Sequence, residues 1–163
     1  MNLSKDNSIY PLVIYKGYHC LVRPVLYPNG NPGLVLEDID YGSPVATCTI
    51  NLPTQRIKII DYLSGEDGCL QTYPQDANQH LFVFIKDYSE NEGMLKLLVT
   101  EGIIDFPYYD KNGIPLEVYG MRGLTRIPFL YVCHASLIQA FNQLYDELYL
   151  VHTIGGKVVG ETT

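Results

Sequence analysis

Phe82-Val83-Phe84-Ile85-Lys86-Asp87-Tyr88-Ser89-Glu90-Asn91-Glu92-Gly93-Met94 joins a short apolar run to a polar, acidic opening of a helix. The apolar part has the length and composition of a buried strand. Ser89 followed three residues later by Glu92 has the spacing of a capping box. In that arrangement the serine hydroxyl accepts from the glutamate amide while the glutamate side chain reaches back. Glu90 and Glu92 also fall where the positive end of a helix dipole favours carboxylates. The spacing predicts a helix over 89–101, with Met94, Leu95, Leu98 and Val99 on its buried side and Gly102 as a left-handed stop.

Upstream, residues 9–15, 18–26, 34–39 and 45–50 are short runs rich in Val, Ile, Leu and Tyr, separated by turn formers. Pro28-Asn29-Gly30-Asn31-Pro32-Gly33 and Asp40-Tyr41-Gly42-Ser43-Pro44 supply the reversals, so these runs are expected to form an antiparallel meander. Val45, Thr47 and Thr49 alternate with Ala46, Cys48 and Ile50, which gives the last run one drier face. Downstream, Asn112-Gly113 carries the signal of a two-residue hairpin in which both positions take positive φ. Strands are expected at 116–119 and 127–133. Leu137, Phe141, Leu144 and Leu148, widened by Ile138 and Tyr145, then mark an amphipathic helix over 135–149. Residues 148–159 fit the end of that helix or a terminal hairpin equally well.

The run Phe84 to Leu95, with the blocks 34–53 and 82–104 around it, resembles a family of short, uncharacterised bacterial domains carried also on plasmids and phages. That family shares an F-I-K-D-Y-S-E-N-E-G-M-L core, and Gly123 to Val132 is similar to its closing strand more weakly. The resemblance implies an association with mobile elements and implies no reaction or ligand. Shorter relatives pass almost directly from N-L-P to F-I-K-D-Y, whereas here 54–80 intervenes as an inserted acidic loop region. Ile57-Lys58-Ile59-Ile60 reads as an extra strand within it, and the turn-rich stretch 64–78 as an exposed excursion.

A length of 163 residues suits one domain, 1–163, and 47% apolar with 18% charged residues belongs to a chain that buries a core. The apolar run 11–15 stops at Lys16, too short for a membrane span or a signal-peptide core, which points to a cytoplasmic protein with no membrane partner. Cys20, Cys48, Cys69 and Cys133 are widely spaced and read as free thiols in a reducing compartment. The net charge of −7 is concentrated in the middle, where Glu37, Asp38, Asp40, Asp61, Glu66, Asp67 and Asp76 face only Arg56 and Lys58. Such a region repels a phosphate backbone, so composition argues against a nucleic-acid partner. A basic face from Lys16, Arg23, Arg56, Lys58, Arg122 and Arg126 is the one route by which folding could reverse that.

Lys86, Asp87, Tyr88, Glu90 and Asn91 lie together at the strand–helix junction. Capping accounts for Ser89 and Glu92 but leaves Asp87, Tyr88 and Asn91 without a role, so Asp87, Tyr88, Glu90 and Asn91 are the candidate interaction residues. The alternative is a small hydrolase or transferase using Asp87, Glu90 or His80. Cys69 with His80 makes a poor nucleophile and base, because Glu66, Asp67 and Asp76 would raise the thiol pKa. His19-Cys20 and Cys133-His134 lack the local spacing of a zinc site, and Tyr108 and Tyr119 fall where a calcium loop needs carboxylates. Gly155-Gly156-Lys157 lacks the rest of a phosphate loop, and no G-x-S-x-G occurs. No catalytic residue, metal or cofactor is therefore assigned. Fourteen tyrosines without tryptophan suit both strands and interfaces. The expectation is an α+β fold: a mainly antiparallel twisted sheet with two packed helices, binding an unidentified protein partner.

Overall fold

The computed structural model describes residues 10–52, 81–107 and 109–150. The inserted region at 54–80, with its expected strand, and everything beyond Leu150 lie outside the described residues. Strands β1 (Leu12–Tyr15), β2 (Tyr18–Leu26), β3 (Pro32–Asp38) and β4 (Pro44–Thr47) form the expected meander, in the order β1-β2-β3-β4. Lys16 (φ 51) and Gly17 (φ 84) turn β1 into β2 with both central residues left-handed. That is the type I′ geometry whose twist matches the strands it joins. β3 starts earlier than expected, because the reversal closes within Tyr27–Asn31: the Tyr27 amide donates to the Asn31 carbonyl at 2.8 Å. Pro32 then pairs with Leu26 as the first residue of its strand, where a missing amide is tolerated.

The run 45–50 is divided rather than continuous. β4 ends at Thr47, and β5 (Thr49–Ile50) belongs to a second antiparallel sheet with β6 (Phe82–Ile85), β9 (Thr125–Val132) and β7 (Ile104–Asp105), in the order β5-β6-β9-β7. β8 (Val118–Arg122) also pairs with β9. Cys48 is the pivot between the sheets. Its amide donates to the Leu34 carbonyl in the first sheet, and its carbonyl accepts from the Lys86 amide in the second, both at 2.8 Å. The α+β class with antiparallel pairing stands, with the strands shared between two sheets.

Helix α1 is shorter than the sequence suggests, covering Met94–Thr100, and Ser89–Asn91 is a separate turn of 3₁₀-helix. The C-terminal reading holds. Gly102 (φ 74) is left-handed, its amide donates to Val99, and the Ile103 amide reaches the Leu98 carbonyl, which together make a Schellman ending. Helix α2 runs over Ala135–Leu150.

The Asn112-Gly113 turn also differs from expectation. Only Gly113 (φ 80) is left-handed. Asp110 pairs with Ile114 around a three-residue loop, and the Asp110 carboxylate accepts from the Asn112 and Ile114 amides at 2.8 and 2.9 Å. One aspartate thereby holds the loop, and β8 begins at Val118 rather than at Leu116.

The main core gathers the inner faces of the first sheet (Val13, Cys20, Val22, Leu34, Leu36), one face of the second (Val83, Ile85, Leu130, Val132), Met94 and Leu98 of α1, and Leu137 and Phe141 of α2. On the other face of β6, Phe82 and Phe84 pack with Ile50, Ile127 and Phe129. Phe82 stacks on Phe129 with ring centroids 4.8 Å apart and planes 11° from parallel. Both faces of β6 are thus buried, which is why its sequence is apolar without alternation.

At the seam between the sheets, buried Thr49 departs from the simple alternation of its run. Its hydroxyl is 2.8 Å from the Tyr27 hydroxyl and accepts from the Leu34 amide at 3.2 Å. Gly33 leaves room for this. A Cβ there would lie 2.8 Å from the Tyr27 ring and 3.1 Å from the Thr49 hydroxyl oxygen. The ring is held by its own hydrogen bonds and cannot swing away freely. Gly33→Ala is expected to destabilise the protein by about 1–3 kcal/mol through overpacking, read as a lower denaturation midpoint. An unchanged midpoint would show that the seam is loosely packed.

Candidate interaction surface

The strand–helix junction is built by a sequence of backbone reversals. Lys86 makes the last ladder bond of β6. Tyr88 is extended, Ser89 takes φ 56, and Gly93 takes φ 95 before α1 begins. The capping box does not form. The Glu92 amide donates to the Ser89 carbonyl rather than to its hydroxyl, because a left-handed Ser89 carries its carbonyl into the 3₁₀ turn. The helix is capped from further back: the Asp87 carboxylate accepts from the Leu95 amide at 2.9 Å. It does for α1 what Ser89 was expected to do, from outside the usual capping position.

The four candidate residues divide. Asp87 is occupied by the helix cap. Asn91 is 1% exposed, and its side-chain amide donates to the Thr47 carbonyl at 2.7 Å, fastening the turn to the end of β4. Glu90 and Tyr88 reach the surface. The Glu90 carbonyl accepts from the Tyr15 hydroxyl at 2.8 Å and from the Lys16 ammonium, so the β1–β2 turn is docked onto the junction. Its exposed carboxylate pairs with Lys86 at 2.5 Å. Lys86 also lies 5.7 Å from the centre of the Tyr88 ring, and that ring packs against the Phe82–Phe129 cluster. An open cleft of about 300 Å³, lined by Val45, Thr47, Lys86, Glu90 and Asn91 among others, adjoins this group.

Pairing and burial set the protonation of several side chains. The hydrogen bond from Lys86 holds the Glu90 carboxyl below its usual range, and the same contact raises Lys86. Burial pushes the Cys48 thiol well up, and burial followed by the charge of Asp105 takes Cys133 to about 11. Such thiols are protonated near neutral pH and poorly nucleophilic. Burial and a hydrogen bond to Asp105 likewise push the Tyr109 hydroxyl up to about 12. His80 and Cys69 lie outside the described residues. Among the described residues no group of three His, Cys, Asp or Glu side chains is placed to hold a metal ion, and no helix is long and apolar enough to cross a membrane.

Two surface features escaped the sequence reading. The first is the β8–β9 hairpin. Arg122 pairs with Thr125 across a two-residue loop in which Gly123 is left-handed and Leu124, at the tip, is 97% exposed. Met121 is opposite Arg126, whose guanidinium lies 3.9 Å from the centre of the Tyr119 ring. Glycine followed by any residue between two pairing runs is a hairpin signal, and Gly123-Leu124 was available to be read so. The second is an open cleft of about 550 Å³ at the far end of the first sheet, lined by Leu12, Ile14, His19, Ile39, Asp40 and Glu101 among others. Leu12 and Ile14 are on the outer face of β1, in register with Leu21 and His19.

No protein-family model, curated protein or solved structure matches the chain.

Asp87→Ala is expected to cost about 0.5–2 kcal/mol through loss of a cap. Ser89→Ala should stay within about 0.5 kcal/mol of wild type, because the exposed hydroxyl caps nothing. Paired denaturation curves check both, and the reverse order would restore the capping box. For Glu90 the sign is that of a lowered carboxyl: the ion pair is present above the ordinary carboxylate pKa and is lost as pH falls through the depressed value. Carbon-13 NMR titration should find Glu90 below the usual glutamate range in wild type and raised toward it in Lys86→Met, with the backbone hydrogen bond and Lys16 still holding it down.

Proposed function

We propose that this chain is a non-enzymatic protein-interaction domain, serving as an accessory of a mobile element in the cytoplasm. The observation that carries the interaction reading is the β8–β9 hairpin. A leucine 97% exposed at its tip, with 40% exposed Met121 beside it, has no use in the core of this chain. Arg122 and Arg126 flank it, and Lys86, Tyr88 and Glu90 extend the surface toward the junction. Apolar anchors ringed by arginine and tyrosine are what interfaces concentrate at their centres. The resemblance to plasmid- and phage-borne domains supports the mobile-element setting. The wide spacing of Cys20, Cys48, Cys69 and Cys133, without a disulfide framework in the sequence, supports a reducing compartment.

The reading is tested by placing a photo-crosslinking amino acid at position 124 in the native host, with Lys111, another exposed turn position, as the control. Discrete crosslinked proteins from position 124 and none from position 111 are expected. Equal, diffuse labelling from the two positions overturns the reading.

A further inference from the structure

We infer that the β8–β9 hairpin of one copy seats in the β1 cleft of a second copy, so that the protein associates head to tail with itself. The inference rests on the interaction reading above and names its partner. The two surfaces are complementary in apolar character and in charge. The hairpin offers an apolar knob, Leu124, with Arg122 and Arg126 behind it. The cleft offers an apolar floor from Leu12, Ile14 and Ile39, with Asp40 and Glu101 on its lining.

Among the described residues neither half is covered within its own copy. Leu124 is 97% exposed, and Leu12, Ile14 and Ile39 are 57%, 61% and 41% exposed. Arg126 touches only an aromatic ring, Tyr119, among the described contacts, and neither arginine forms a described ion pair. A cleft of about 550 Å³ has room for the leucine together with part of Met121. The chain as a whole carries −7, which opposes association in any orientation that brings acidic surfaces together. Meeting through the arginine-bearing hairpin relieves this repulsion, because it sets Arg122 and Arg126 against Asp40 and Glu101.

The contact joins two different patches, so it is heterologous and leaves a free hairpin at one end and a free cleft at the other. Growth beyond a dimer follows unless the rotation between copies closes a ring. The contact is small, so it is weak, with a dissociation constant on the order of micromolar or above. Its ion pairs lie at the rim and are screened by salt over a Debye length of about 8 Å at physiological ionic strength.

The test is sedimentation velocity across a concentration series, on wild type, on Leu124→Asp, and on the double variant Asp40→Lys with Glu101→Lys. Wild-type mass is expected to rise with concentration beyond that of one chain and to fall back as salt is added. Each variant alone should remain a single chain with an unchanged melting transition. An equimolar mixture of the two variants should form pairs and nothing larger, because Leu124→Asp still offers its cleft and the charge-reversed variant still offers its hairpin. Wild type that stays monomeric throughout, or variants that associate as wild type does, or a mixture that fails to pair, overturns the inference. Monomeric wild type with position-124 crosslinks to other proteins removes self-association and leaves the interaction reading intact. Loss of both removes both.

Discussion

The fold depends on one residue's two backbone hydrogen bonds. Cys48 donates to the first sheet and accepts from the second, so a single residue carries the chain from one to the other with both its amide and its carbonyl paired. A buried backbone group without a partner costs as much as a lost hydrogen bond, so the transfer has to occur where both ladders are within reach. Around it, Thr49 bonds Tyr27 and the Leu34 amide, Gly33 yields the space, and Asn91 holds the Thr47 carbonyl. One residue, Cys48, separates the end of β4 from the start of β5, and the junction before α1 is fastened beside it at the Thr47 carbonyl.

This explains why the junction's polar residues divide as they do. Asp87 and Asn91 are spent on geometry: one starts a helix, the other ties the turn to β4. The reversal that brings them into position puts Ser89 and Gly93 in left-handed conformations and pushes Glu90 outward, where Tyr15 and Lys16 bind its carbonyl. A stretch that looks like a cluster of functional side chains is therefore largely a fastening, and of its charged and aromatic side chains Lys86, Tyr88 and Glu90 are left at the surface. The side chains most available to a partner belong to residues that interrupt no pattern.

Regular features were legible in sequence because they depend on neighbours a few positions away. The meander of β1 to β4, the stripe of α2 and the glycine stop of α1 follow from periodicity and from the left-handed freedom of Gly102. The capping box was misread because Ser-x-x-Glu specifies a spacing and not a backbone conformation. With Ser89 at φ 56 the same residues close a 3₁₀ turn, and the cap falls to Asp87, eight residues before its partner. Asn112-Gly113 was misread for a related reason: the Asp110 carboxylate binds two amides of the loop and selects a geometry in which glycine alone is left-handed.

By itself the sequence determined an α+β chain with antiparallel strands and an acidic balance, since these are fixed by composition and by periods of two and 3.6 residues. Only the tertiary structure decided where the chain changes sheets, which polar side chains the fold consumes, and which apolar ones it leaves outside. Val45 to Ile50 alternates as a single strand would, and its division at Cys48 is set by carbonyl and amide partners 14 residues before it and 38 after. Leu124 and Leu137 are the same residue type, yet one is 97% exposed and the other fully buried. Burial is a property of what packs against a position, and local sequence carries no record of partners brought in from far along the chain.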